Sequence, residues 1–143
     1  MATPGIRQRW LDVGPDPQYH RRAMSADAPV TIYHNPVCGK SRGALEILRQ
    51  RGVDCEVVEY LHHPPDRATL EGILDLLGGP PAQLVRNDKR FREFALRPED
   101  YVARAQVVEL LLRHPELMER PVVIQGRRAV IARPSERVLE LFE

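Results

Sequence analysis

Apolar and polar positions follow three different patterns along the first sixty residues. Residues 1–28 are rich in proline, arginine and small residues and show neither apolar period, which predicts a disordered N-terminal segment. Trp10, Leu11 and Val13 could instead dock on the rest of the protein. From Pro29 the pattern changes abruptly, because PVTIYHN is a short, apolar, β-branched run that predicts a buried strand.

The next two runs complete a βαβ unit. SRGALEILRQRG places apolar residues at helical spacing and ends on Gly52, which predicts a helix. VDCEVVEYL predicts a second strand, and the HHPP after it cannot continue that strand. The two strands are expected to be parallel, with a right-handed crossover.

The middle of the chain reads as helical and its end as a hairpin followed by a helix. DRATLEGILDLLGG predicts a helix capped by Asp66 and ended by Gly78 and Gly79. ARAQVVELLLRHP predicts another helix. PVVIQ and AVIA, separated by GRR, predict a hairpin, and SERVLELFE predicts a final helix with Ser135 at a capping position.

The predicted fold class is therefore α/β. The order is β-α-β, a helical insert and then β-β-α, with a mixed central sheet flanked by helices, which is the order of a thioredoxin-like fold. The chain has 143 residues, so residues 29–143 suit one domain after the N-terminal segment.

Composition excludes several function classes. Lysine plus arginine number 21 against 20 acidic residues, and this net charge of +1 predicts neither nucleic acid nor an anionic membrane surface as a partner. No apolar run approaches the roughly 18 residues of a membrane span. Two cysteines and no signal-peptide pattern predict a reducing, cytoplasmic setting and no disulfide scaffold.

Cys38 is the first candidate for chemistry, since it lies at the predicted turn from strand to helix. Helix N-termini carry unpaired N–H groups and positive potential, which favour a thiolate and bind oxyanions. Lys40 and Arg42 add nearby cations, although helical phase could turn Arg42 outward. We therefore predict a lowered pKa for Cys38. The alternative is that Cys38 is a small buried side chain of the core. The polar residues around it make this alternative less favourable.

Three neighbours of Cys38 have candidate roles in the same loop. Gly39 would let a ligand approach the backbone closely. Ser41 could cap the helix or hydrogen-bond the Cys38 sulfur. His34 could polarise or orient the thiol, or could simply end the strand.

Other familiar chemistries fail on spacing. GKS resembles part of a phosphate-binding P-loop, but the required earlier glycine is His34. Ser41 stands where a Cys-x-x-Cys motif has its second cysteine, so a resolving thiol must come from outside the chain. Cys55 lies in an apolar run and is read as structural. His62, His63 and Cys55 offer no recognisable zinc spacing with His34 and Cys38, so no metal is expected.

The segment HNPVCGKSR in this order of elements resembles the glutaredoxin-coupled arsenate reductases, the ArsC type. The resemblance runs from about Val30 to Phe142 and includes EYLHHPPDRATL, LVRND, RHPELMERPVVI and ARPSERVLELF. It implies a reaction in which the loop cysteine attacks arsenate, glutathione adds as co-substrate, and glutaredoxin reduces the adduct to release arsenite. No tightly bound cofactor is implied.

The resemblance assigns roles residue by residue. Cys38 matches the nucleophile, and His34 and Ser41 match residues that help to keep it ionised. Gly39 and Lys40 are expected to bind the substrate as well, but this expectation comes from their place at the helix start and not from the resemblance. The oxyanion-binding arginines match Arg86, Arg120 and Arg133. Pro121 matches the proline beside the active site, which by resemblance follows a cis peptide bond.

Two further functions compete with arsenate reduction. The first is a thiol oxidoreductase of the same fold that acts on another oxyanion or on glutathione adducts. The second is a non-enzymatic regulator resembling the Spx proteins, which bind RNA polymerase. Oxidation-sensing Spx proteins typically carry Cys-x-x-Cys, which this chain lacks while it retains the arginines of the anion site.

Overall fold

A computed structural model describes residues 6–8 and 29–143. The described residues fall into two compact units. The first contains the residues up to Glu59 together with Arg120–Glu143, and the second is Tyr60–Glu119.

The first unit is built on a mixed five-stranded sheet. Its strands, in chain order, are β1 (Ile6–Gln8), β2 (Val30–His34), β3 (Cys55–Glu59), β4 (Val122–Gln125) and β5 (Arg128–Ile131). Their order across the sheet is β1-β3-β2-β4-β5. β2 and β3 are parallel, while β4 pairs antiparallel with both β2 and β5. The predicted βαβ unit, hairpin and mixed sheet are thus confirmed.

The short strand β1 departs from the disorder predicted for residues 1–28. Its backbone pairs in parallel with β3, with Ile6 opposite Cys55. Without β1, strand β3 would have unpaired N–H and C=O groups along its outer edge, and an extended segment can pair with them. A three-residue pairing of this kind carries no apolar period in the sequence. The remainder of the predicted segment, including Trp10, Leu11 and Val13, lies outside the described residues.

Helix α1 (Gly39–Gln50) covers the sheet of the first unit. Ala44 and Leu48 are fully buried on its inner face and join a core with Val30 and Ile32. The helix ends at Gln50, and the chain turns away at Gly52, which has a φ of +68° and is the stop residue that the sequence predicted. It begins two residues earlier than the apolar pattern indicated, so that Cys38 becomes the N-cap residue.

The final segment, Ser135–Phe142, is a 3₁₀ helix where the apolar pattern suggested an ordinary helix. Val138 and Leu141 are buried in the same core as α1. The cap position is Pro134 and not Ser135, because the Ser135 hydroxyl donates to the carbonyl oxygen of Lys40, at 2.7 Å. The Ser135 side chain, which local sequence assigns to capping, therefore forms a contact with α1 instead.

The second unit is helical, as predicted for the insert. It contains α2 (Arg67–Leu77), α3 (Lys89–Glu93) and α4 (Arg104–Arg113), with 3₁₀ turns at Pro81–Leu84, Pro98–Asp100 and Pro115–Leu117. Asp66 caps α2 by accepting from the Thr69 N–H at 2.8 Å, and Gly78 ends it with a φ of +64°. No helix in the described ranges is both long and apolar enough to cross a membrane.

Candidate active site

Cys38 lies in the tight turn that joins β2 to α1. Its backbone is extended, with φ −92° and ψ 122°, as is usual for a residue that precedes the first helical turn. The Cys38 N–H donates to the carbonyl of Asn35 at 3.0 Å, and the Asn35 side chain accepts from the Val37 N–H at 3.1 Å. These bonds fold the loop so that a partly exposed sulfur lies over the start of α1.

The backbone N–H groups in the first turn of α1 act on the protonation of that sulfur. Burial raises the pKa of the Cys38 thiol, but the backbone N–H groups of Ser41 and Lys40 lower it. The Arg120 guanidinium lowers the pKa further, both as a hydrogen-bond donor and by its charge. The pKa of Cys38 therefore lies below its ordinary value, as the sequence predicts, and the thiolate is favoured.

Arg120 and Arg133 bring two guanidinium groups to the same place. Arg133 Nη1 lies 3.8 Å from the Cys38 sulfur and donates to the carbonyl of Arg120 at 3.1 Å. Arg120 lies two residues before β4 and Arg133 lies two residues after β5, so the hairpin places both residues at one end of the sheet. Arginine guanidinium groups match the oxygens of a tetrahedral oxyanion in number and direction.

Each of these arginines is followed by a cis proline. The Arg120–Pro121 bond is cis, as the resemblance implied, and Pro121 is buried. The Arg133–Pro134 bond is also cis. This second cis bond could not be predicted from the sequence, since a peptide bond before proline is compatible with either isomer.

His34 and Ser41 contact each other beneath the loop. His34 Nδ1 lies 2.6 Å from Ser41 Oγ, which also accepts from the Asn35 N–H at 3.0 Å. Ser41 therefore lowers the pKa of Cys38 through its backbone N–H, whereas its hydroxyl contacts His34 and Asn35. Of the two roles weighed for the Ser41 side chain, neither is the one found.

His34 is held in its neutral form. Burial lowers the pKa of His34, the charge of Arg42 lowers it further, and Glu59 only partly opposes them. A neutral imidazole provides no cation for the thiolate, and the contact that His34 makes here is with the Ser41 hydroxyl, so its role in keeping Cys38 ionised stays a prediction. Both residues are buried, which fixes their contact.

The remaining loop residues face solvent. Gly39 and Lys40 are exposed, and a Cβ placed on Gly39 would meet no atom within 4 Å. The backbone of Gly39 is thus open to an approaching ligand. The Arg42 side chain is exposed as well, so its helical phase turns it outward.

Cys55 has the opposite environment to Cys38. It is fully buried in the core beneath α1, and burial raises its pKa to about 12. A thiol of this pKa is neither a nucleophile nor a resolving partner at neutral pH. Its interpretation as a structural residue is confirmed by this burial.

Arg86 belongs to the second unit and is engaged by two carboxylates there. Its Nε donates to Asp88 at 2.9 Å and its Nη1 to Glu119 at 3.3 Å. Val85 also forms an isolated antiparallel bridge with Met118. These contacts give Arg86 a stabilising role within its unit, and its oxyanion-binding role stays a prediction.

Replacing Arg86 by leucine is expected to destabilise the protein by roughly 1–2 kcal/mol at pH 7, because two half-buried carboxylates lose their partner. Burial raises the pKa of Asp88, but Arg86 and the N–H groups of α3 outweigh it and lower the pKa overall. This stabilisation is present above the ordinary aspartate pKa and is lost as pH falls. Melting curves at pH 7 and pH 4 should therefore differ more for the wild type than for the variant.

Arg92→Leu is the matched control for this prediction. Arg92 is an exposed arginine of the same short helix, α3, and its loss should change the melting temperature little. An Arg86→Leu protein of unchanged stability but weakened oxyanion affinity would contradict the stabilising role and favour the substrate-binding one.

Sequence reasoning missed two residues of this site. Asn35 organises the loop through its side chain, and an Asn before a proline is a recognisable turn signal. Ser135 contacts the first turn of α1 and lies 95 positions from its partner Lys40. Across residues 29–143, no three His, Cys, Asp or Glu side chains are grouped as metal ligands.

Comparisons with known proteins agree with this geometry. The model of the ArsC family matches residues 33–141. The chain is 38% identical over 114 residues to an arsenate reductase of Acidiphilium multivorum, covering 79% of this chain and 80% of that protein. It is 40% identical to the uncharacterized protein YfgD of Escherichia coli K12, covering 78% and 95%. An arsenate reductase structure from Vibrio cholerae superposes with a TM-score of 0.72 at 31% identity, covering 79% and 97%.

Proposed function

Because this chain belongs to the ArsC family, we propose that it reduces arsenate to arsenite with Cys38 as the nucleophile. One observation supports the proposal above all others: the Cys38 sulfur lies among the N–H groups of α1 and the guanidinium groups of Arg120 and Arg133. The same donors that favour a thiolate suit the oxygens of a tetrahedral anion bound beside it.

In the first step, the Cys38 thiolate attacks the arsenic atom and forms a sulfur–arsenic bond. One arsenate oxygen takes up protons and leaves as water, and arsenic stays pentavalent. Negative charge on the crowded intermediate is stabilised by Arg120, Arg133 and the N–H groups of the first turn. The chain thereby replaces water around the anion with donors already in position.

Reduction of arsenic from the pentavalent to the trivalent state takes two electrons, which two thiols supply when they become one disulfide. Cys38 has no second reactive thiol in the described part of the chain, because Ser41 occupies the resolving position and Cys55 is buried. Glutathione therefore binds to arsenic as another water leaves. A glutaredoxin thiolate then attacks the glutathione sulfur and forms a disulfide with it. The electrons of the bond between glutathione sulfur and arsenic pass to arsenic, which becomes trivalent while it stays bound to Cys38. Hydrolysis releases arsenite and restores the thiolate in a reducing cytoplasm.

The test is arsenite formation by the purified protein from arsenate, measured with glutathione, with glutaredoxin, with both and with neither. Sustained turnover is expected only with both, because neither thiol alone completes the cycle. A single turnover at most is expected when one is omitted. Thioredoxin in place of glutaredoxin serves as the matched control reductant.

Two outcomes would count against the proposal. Turnover of a glutathione mixed disulfide without any arsenate turnover would make the protein a thiol oxidoreductase of the same fold. Recovery of RNA polymerase in a pull-down, with no turnover of any oxyanion, would favour a regulator resembling the Spx proteins.

A further inference from the structure

Ser135 contacts the first turn of α1 from the far end of the chain. It is buried, with 8% of its surface exposed, and its Oγ–H donates to the carbonyl oxygen of Lys40 at 2.7 Å. The carbonyl of Lys40 and the N–H of Ser41 belong to one planar peptide group. That N–H is one of the unpaired N–H groups at the start of α1, next to the N-cap residue Cys38, and it lowers the pKa of the thiol. The Ser135 hydroxyl thus binds the carbonyl side of the amide whose N–H side acts on the thiol.

Gly43 makes this contact possible. A Cβ at position 43 would lie 2.5 Å from Ser135 Oγ and 3.0 Å from Ser135 Cβ, which is closer than real Cβ contacts come. The missing side chain of Gly43 therefore leaves the space that the Ser135 hydroxyl occupies. Glycine lowers the stability of a helix interior by roughly 0.5–1 kcal/mol relative to alanine, so its presence in α1 has a local reason.

A hydrogen bond to a carbonyl oxygen has two effects on its amide. It fixes the orientation of the peptide plane, and it polarises the amide so that its N–H becomes a stronger donor. We propose that Ser135 is a positioning residue for Cys38, holding the Lys40–Ser41 peptide so that the Ser41 N–H points at the sulfur. Ser135 is two residues from Arg133. One short segment therefore places the Arg133 guanidinium near the sulfur and the Ser135 hydroxyl on the first turn of α1.

This role rests on Cys38 being the nucleophile of the proposed function, but it can be tested without arsenate. The charged groups facing the sulfur, Arg120 and Arg133, are left in place by the Ser135→Ala change. The measurement is the rate of Cys38 alkylation by iodoacetamide from pH 5 to pH 9.5, followed by mass spectrometry. Ser135→Ala is expected to react about two- to fivefold more slowly at pH 6 and at the wild-type rate at pH 9.5, because only the thiolate reacts.

Gly43→Ala tests the same contact from the other side. Its new Cβ should displace the Ser135 hydroxyl and slow alkylation at pH 6 by a similar factor. In a Ser135→Ala background the Gly43→Ala change should then add little, because the hydroxyl is already absent. Two fully additive effects would contradict a shared mechanism.

Val138→Ala is the matched control. Val138 is fully buried in the same 3₁₀ segment, so its truncation should destabilise that segment without touching the Lys40 carbonyl. Each variant is measured well below its own melting temperature. The proposal is overturned if Ser135→Ala keeps the wild-type pH profile, if it slows alkylation equally at every pH, or if Val138→Ala shifts the profile as far. Failure of arsenate turnover with these shifts intact would instead count against the proposed function alone.

Discussion

Replacing Cys38 by serine is expected to reduce arsenate turnover by at least about 10³-fold, to a level near that of buffer. A serine hydroxyl is not ionised at neutral pH, and the donors that lower the pKa of Cys38 cannot make it an alkoxide. The fold should survive, because the side chain at position 38 lies at the surface end of α1 and not in the core. Arsenite release with saturating glutathione and glutaredoxin is the measurement, alongside a melting curve.

Cys55→Ala provides the control for this experiment. Cys55 is fully buried in the core, so its truncation should cost roughly 1–2 kcal/mol of stability while arsenate turnover stays within about twofold. The two cysteine variants are thus expected to show opposite effects on activity and stability. Full turnover by Cys38→Ser would sink the proposed mechanism, and lost turnover by a folded Cys55→Ala would contradict the structural role of Cys55.

Replacing Arg120 by leucine is expected to lower kcat/KM for arsenate by about 10²- to 10³-fold, the range seen when a charge-stabilising donor is removed from an active site. Arg120 is expected to contribute twice, since it lowers the pKa of Cys38 and, in the proposed mechanism, would stabilise the bound oxyanion. Loss of thiolate can be reversed by raising the pH, whereas loss of oxyanion stabilisation cannot. The deficit should therefore shrink between pH 6 and pH 9 but remain large at pH 9.

Arg42→Leu removes the same charge from an exposed position four residues beyond Cys38. Exposed charges are screened by solvent and salt, so kcat/KM is expected to change less than about threefold. If the Arg120→Leu deficit disappears entirely at pH 9, Arg120 acts on the thiol alone. If Arg42→Leu loses as much activity as Arg120→Leu, general electrostatic attraction explains both results.

Local sequence was sufficient for the elements whose ends carry strong signals. β2 begins after Pro29, and α1 ends just before Gly52, whose positive φ a non-glycine residue rarely adopts. Asp66 caps α2 through the bond that aspartate is suited to make. The two elements that were mistaken or missed, β1 and the 3₁₀ segment Ser135–Phe142, depend on partners distant in the chain.

The residues of the candidate site also differ in whether local sequence is sufficient to predict them. Cys38 could be singled out because a cysteine between a strand and a helix carries its own physical signal. The neutral state of His34 could not be predicted, because it follows from burial of the side chain, which depends on the whole fold and not on a short segment. The link from Arg133 to the carbonyl of Arg120 spans the β4–β5 hairpin, and it appears only once the strands pair.

At position 38, the stability of the helix and the reactivity of the site favour different residues. The sulfur of Cys38 occupies the place where helices favour the oxygen of serine, aspartate or asparagine, and such residues are better helix caps. A protein engineer who optimised this chain for heat resistance alone would be drawn to replace the very residue proposed to react. Natural selection for turnover then has to retain a weaker cap, and the tolerance for that weakness must come from the well-packed core behind α1.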